Sequence, residues 1–243
     1  MHDNIKLVIF DLAGTTIEDA GQVPEAFTSV LRAHGIEATD EDIRAVRGAS
    51  KHQAIRRFVE RQFPGKETQV AAQTEQIFAE FRAHLADRYR QDGVHPLPGA
   101  SDTFAWLHNH GIKIALNTGF DRATAELILR QVGWEKDTVE AVICGDDVSQ
   151  GRPAPYLIFH AMEAAGETSV HQVANVGDTV LDLQAGWNAS VHWNIGVLSG
   201  AHTREQLERA PHTHLLAGVA ALPSLWELST TSSDSLTSRP RCG

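Results

Sequence analysis

The chain has 243 residues, 42% of them hydrophobic, and a net charge of −10. That length allows one large domain or one domain carrying a smaller one, and the apolar content suffices for a full core. So acidic a chain lacks the basic face that nucleic acid or an anionic membrane would require, so neither is an expected partner. Cys144 and Cys242 lie far apart, which argues against a disulfide framework or a thiolate metal site and fits a reducing compartment. The start Met1-His2-Asp3-Asn4 is polar, and no run approaches the ~18 apolar residues of a membrane span. A cytoplasmic protein is expected.

In chain order, apolar and mostly β-branched residues 5–10 predict a first strand ending at Asp11, before the small-residue turn Ala13-Gly14-Thr15-Thr16. From there to Ile112 no strand pattern occurs. Helical patterns instead cover 24–33, 40–47, 51–62 and 67–90, and Pro96-Leu97-Pro98-Gly99 closes the segment with turn residues. Further strands are predicted at 112–116, 139–144, 172–176, 192–197 and 214–216. Between them lie helical spacings such as Ala123-Leu127-Leu129-Val132 and Tyr156-Phe159-Met162. This alternation predicts an α/β fold, a doubly wound parallel sheet with helices on both faces. The expected domains are a core of residues 1–15 and 96–228 and an inserted α-helical cap of residues 16–95, with hinges near 14–21 and 92–98. The Ser/Thr-rich tail 229–243 is expected to be disordered.

In open α/β sheets ligands bind at the carboxyl ends of the strands. Those ends carry Asp11; Asn117-Thr118-Gly119; Gly145-Asp146-Asp147 followed by Gly151-Arg152-Pro153; and Gly177-Asp178-Thr179, with Asp182 one helical turn later. Several carboxylates at one site repel one another unless a hard cation neutralises them, and oxygen ligands of this kind suit Mg²⁺. A carboxylate can attack phosphorus to give an aspartyl-phosphate. Thr118, Arg152 and the backbone N–H groups after Asp11 could then supply donors to the phosphoryl oxygens. The set predicts a phosphoryl-transfer site acting on a small molecule.

Four motifs in order, Asp11-Leu12-Ala13-Gly14-Thr15, Thr118, Arg152 before Pro153, and Gly177-Asp178-Thr179 with Asp182, resemble the haloacid dehalogenase superfamily, with its Rossmann-like core. The resemblance implies Mg²⁺ held around Asp11, Ala13, Asp178 and Asp182. Most phosphatases and mutases of that superfamily carry a second aspartate two residues after the nucleophile, where this chain has Ala13. The Asp-x-Ala-Gly-Thr pattern, with arginine replacing the usual lysine of the third motif, is similar to the phosphonatase (phosphonoacetaldehyde hydrolase) family and its phosphonatase-like relatives. That family cleaves a carbon–phosphorus bond through a Schiff base between the substrate aldehyde and a cap lysine that follows a glycine by three residues. Gly48-Ala49-Ser50-Lys51 has that spacing. The implied catalytic set is Asp11, Lys51, Thr118 and Arg152, with Ala13, Gly48, Gly119 and Arg47 binding substrate.

The chain departs from phosphonatase proper at three places: Arg47 stands for methionine, Ala54 for histidine, and Phe120 for tyrosine. A substituted 2-oxoalkylphosphonate, with Arg47 reading an extra anionic group, is one expectation. Plainer roles exist for several residues: Lys51 as a solvated charge, Thr118 as a helix N-cap, Asp182 as the cap of the next helix. Trp187 and Trp193 are expected in the core. An ordinary phosphoester phosphatase is the competing activity; a dehalogenase or a binding module fits the retained carboxylates less well. Relatives often pair through cap helices, so a homodimer is the expected assembly.

Overall fold

Strand β1 (Leu7–Phe10) is buried throughout, and its side chains alternate between two cores. Leu7 and Ile9 pack on one face with Leu157, Ile158 and Ala161, while Val8 and Phe10 pack on the other with Phe104 and Leu107. A strand buried on both faces has to be apolar without interruption, which is why 5–10 reads as a continuous run. In this computed structural model the described residues are 5–134 and 137–227; the expected tail 229–243, with Cys242, lies outside them.

Four helices follow β1: α1 (Gln22–Ala33), α2 (Asp40–Ala45), α3 (Lys51–Gln62) and α4 (Glu67–Asp92). They form one layer held by Phe27, Ile55, Phe58, Ile77, Phe81 and Leu85, with the Phe27 and Phe81 rings 4.6 Å apart. The chain enters and leaves this insertion side by side: Ile17 bridges Pro96, and the Leu97 N–H donates to the Thr16 carbonyl at 2.9 Å.

Thereafter strand and helix alternate: α5 (Ala100–Asn109), β2 (Lys113–Asn117), α6 (Arg122–Val132), β3 (Ala141–Ile143), α7 (Tyr156–Ala165), β4 (Val173–Gly177), α8 (Val180–Ala189), β5 (Trp193–Val197), α9 (Arg204–Leu207) and β6 (His214–Leu216). The six strands are parallel in the order β3-β2-β1-β4-β5-β6. The predicted doubly wound sheet is therefore present, and its direction of winding reverses between β1 and β4, where such sheets open a crevice. The edge strands β3 and β6 are only three residues long, so the run 139–144 is longer than the strand it contains.

Some side chains face the other way from the sequence reading. Trp187 is 65% exposed, because α8 buries Leu183, Ala185, Gly186 and Ala189 and position 187 falls on the opposite side of that stripe. Along α7 the buried stripe is Leu157, Ile158, Ala161 and Met162, which leaves Tyr156 and Phe159 exposed.

Candidate active site

At the winding reversal the ends of β1, β2 and β4 meet. Asp11 continues β1, and its N–H still donates to the Val176 carbonyl at 2.9 Å, so the sheet itself carries the carboxylate. β4 leads into Asp178, and Asp182 stands on the first turn of α8. Oxygens of Asp11, Asp178 and Asp182 lie within 4.8 Å of one another, and all three residues are buried. Burial raises both Asp11 and Asp178 above the usual carboxylate range; Asp182 pushes each further up, and Arg152 pulls Asp11 back. Three buried, mutually repelling carboxylates form an all-oxygen donor set, which fits Mg²⁺. Asp178 is aimed by the Thr15 hydroxyl, donating at 3.0 Å, and by the Ala201 N–H at 2.6 Å.

Arg152 lies behind the carboxylates. Its Nη1 is 2.8 Å from Asp11 Oδ1 and 2.9 Å from Asp182 Oδ1, and donates to the Gly48 carbonyl at 3.2 Å. Nη2 donates to the Asn117 carbonyl at 3.0 Å and to its side-chain oxygen. The guanidinium thus ties β1, β2, α8 and the helical insertion together at one point. Asp182 serves two partners, because its other oxygen closes the capping box of α8 with Thr179. Asp182 thus caps α8, the plainer of its two expected roles, while its first oxygen faces Arg152. Thr118 is not the N-cap of α6, which is Asp121; its hydroxyl accepts the Phe120 N–H at 3.2 Å.

Lys51 is the first residue of α3 and is 7% exposed, not solvated. Its backbone N–H, which a helix start leaves without an internal acceptor, donates to the Gly119 carbonyl at 3.0 Å. Nζ donates to the Ala49 carbonyl at 3.3 Å and sits 4.7 Å from the Phe120 ring centre. Burial lowers its pKa to about 8, with Asp11 opposing and Arg152 and Arg47 assisting. Close approach is enforced by glycines: a Cβ at Gly119 would collide with the Ala49 carbonyl, and Gly48 (φ +82°) faces the Thr179 hydroxyl.

Asp11, Ala13, Arg47, Gly48, Lys51, Thr118 and Asp178 share the wall of one cavity of about 20 Å³ with Asp19, Val23, Phe120 and Thr179. Gly119, Arg152 and Asp182 stand outside that wall and act on it through the contacts above. A larger cavity of about 580 Å³ lies beside β3 among Arg122, Glu126, Arg130 and Trp134, but none of the expected site residues reaches it, so its size is no guide to the chemistry. Asp146 and Asp147 are engaged by Arg122, away from Arg152. Sequence reasoning missed Asp19, which pairs with Arg47 from the other end of α1 and α2; carboxylates in a polar loop carry no local signal. Asn117, the acceptor that fixes Arg152, was visible only as a polar residue ending an apolar strand.

Several relatives of this chain share one name. A phosphonoacetaldehyde hydrolase of Latilactobacillus sakei subsp. sakei is 34% identical over 196 residues, 77% of this chain and 74% of that protein. One from Bacillus cereus (strain AH187) is 28% identical over 210 residues, 81% and 77% of the two chains. The crystal structure of a hydrolase from Pseudomonas syringae superposes with a TM-score of 0.80 over 92% of this chain and 99% of that one, at 24% identity, a likeness of fold. The sequence profile described as haloacid dehalogenase-like hydrolase matches residues 5–189, more than half of the length. This chain belongs to the haloacid dehalogenase-like hydrolases.

Proposed function

We propose that this hydrolase cleaves the carbon–phosphorus bond of phosphonoacetaldehyde or a related 2-oxoalkylphosphonate. The observation that carries the reading is Lys51: a buried amine with a loosened proton, on the wall of the same cavity as Asp11, in a chain whose position 13 can transfer no proton. The names of the relatives described above point the same way.

In the proposed reaction the neutral Lys51 amine condenses with the substrate carbonyl and takes up a proton from solvent, releasing water and leaving a protonated imine. Asp11 attacks phosphorus; the carbon–phosphorus bond breaks, and its electron pair passes into the imine to give an enamine rather than a carbanion. No acid is then required at position 13. The Thr118 hydroxyl and backbone N–H groups after Asp11 donate to the phosphoryl oxygens, while Arg152 holds Asp11 in line and offsets its charge. Water hydrolyses the aspartyl-phosphate, and the enamine takes up a proton before hydrolysis frees the lysine. Asp11, Asp178 and the Ala13 segment would hold Mg²⁺, with Asp182 oriented behind them, and the ion would neutralise the charge of the phosphonate.

Phosphate release from phosphonoacetaldehyde, with Mg²⁺ and with EDTA, tests the reading. Turnover that EDTA abolishes supports it. Hydrolysis of sugar phosphates but not of the phosphonate would establish the phosphoester alternative instead.

A further inference from the structure

Arg47 and Asp19 form an ion pair on the cavity wall, with side chains 17% and 5% exposed. Asp19 is fully engaged, since its second oxygen accepts the Gly21 N–H at 3.2 Å. Arg47 gives one Nη2 hydrogen bond to Asp19, and its Nε and Nη1 have no hydrogen-bond partner among the described residues. Asp19 therefore holds the guanidinium in place and cancels its charge, while leaving donors unused at the cavity wall that Arg47 shares with Lys51. The Tyr89 hydroxyl, which feels both charges of the pair, is neutral, because burial retains its proton.

We infer that the pair reads the group attached to the substrate's carbonyl carbon and selects an uncharged, oxygen-bearing substituent such as hydroxymethyl. This rests on the carbon–phosphorus reading above and deepens it. The free donors of Arg47 need an acceptor oxygen, which a hydrogen or methyl group lacks. A carboxylate would offer one, but would add a net negative charge to a pair already neutral and desolvated, which is costly. For such a ketone the hydrolysis balances as substrate plus water giving orthophosphate and the corresponding methyl ketone: the carbon that leaves phosphorus takes a proton, and water supplies the fourth phosphate oxygen.

The test compares kcat/KM for phosphate release from three ketones that differ only in this substituent: 2-oxopropylphosphonate (methyl), 3-hydroxy-2-oxopropylphosphonate (hydroxymethyl) and phosphonopyruvate (carboxylate), after cleavage of phosphonoacetaldehyde has been measured. The hydroxymethyl ketone is expected to exceed the methyl ketone by about tenfold or more, the scale of one hydrogen bond to a charged group. Arg47→Met is expected to bring that ratio to about one. Asp19→Asn, which uncovers the Arg47 charge, is expected to move preference toward the carboxylate, a gain that misfolding does not mimic. A wild-type preference for methyl or carboxylate overturns the inference, as do ratios unmoved in both variants or refusal of all three ketones. Failure on phosphonoacetaldehyde itself overturns the underlying reading, and this inference with it.

Discussion

The proposed chemistry turns on how Asp11, Lys51 and Arg152 share one buried space. At pKa about 8, about one Lys51 amine in ten is neutral at pH 7, against about one in 2,500 for a free lysine. The sign is that of a depressed base: the nucleophilic form gains as pH rises through 8. Imine trapping should therefore climb between pH 7 and 9 and then level off; a yield independent of pH over that range would contradict it. Lys51→Arg keeps the positive charge but cannot form an imine, so carbon–phosphorus cleavage should fall by roughly three orders of magnitude or more. Arg152 has a different role. It is buried against Asp11 and Asp182, and removing it strands two carboxylates, so Arg152→Ala should cost about 3–5 kcal/mol in urea unfolding. A variant as stable as wild type would show that the pairs contribute little.

Among the elements, α3 matters most, because its first turn places the lysine. Four contacts seat it on the sheet: the Lys51 N–H on Gly119, Arg152 on the Gly48 carbonyl, the Gly151 N–H on Gln53 at 3.3 Å, and the packing of Gly48 on Thr179. Gly119→Ala drives a methyl into the Ala49 carbonyl at this seam. It should destabilise by about 1–3 kcal/mol and reduce borohydride trapping on Lys51, because relief of the clash lifts α3 from the core. Normal trapping in that variant would mean the seat of α3 is not what positions the amine. The helix itself was legible from its spacing over 51–62. Its docking was not, since it is made by backbone groups and glycines that every loop possesses.

For the whole molecule, the parallel sheet and the helical layer between β1 and β2 follow from long periodic runs. The clustering of the strand-end carboxylates was legible because a charge ending a buried strand has no structural excuse. Pairings across separate elements, such as Arg47 with Asp19, and the outward face of Trp187 depend on how elements rotate and meet, which no local pattern encodes. The cavity of about 20 Å³ has room for about one water, not for a phosphonate, so the helical insertion must part from the sheet to admit substrate. Hydrogen exchange at the Lys51 amide should then slow on adding Mg²⁺ with orthovanadate, which favours the closed arrangement. Equal exchange with and without them would argue for a rigid molecule and another entry route.

The central claim is that Lys51 becomes covalently bonded to the substrate. Borohydride reduction during turnover of phosphonoacetaldehyde, followed by peptide mass analysis, tests it directly. The account predicts a stable secondary amine on Lys51 and loss of activity in step with its formation; continued phosphate release with no adduct on Lys51 would contradict it.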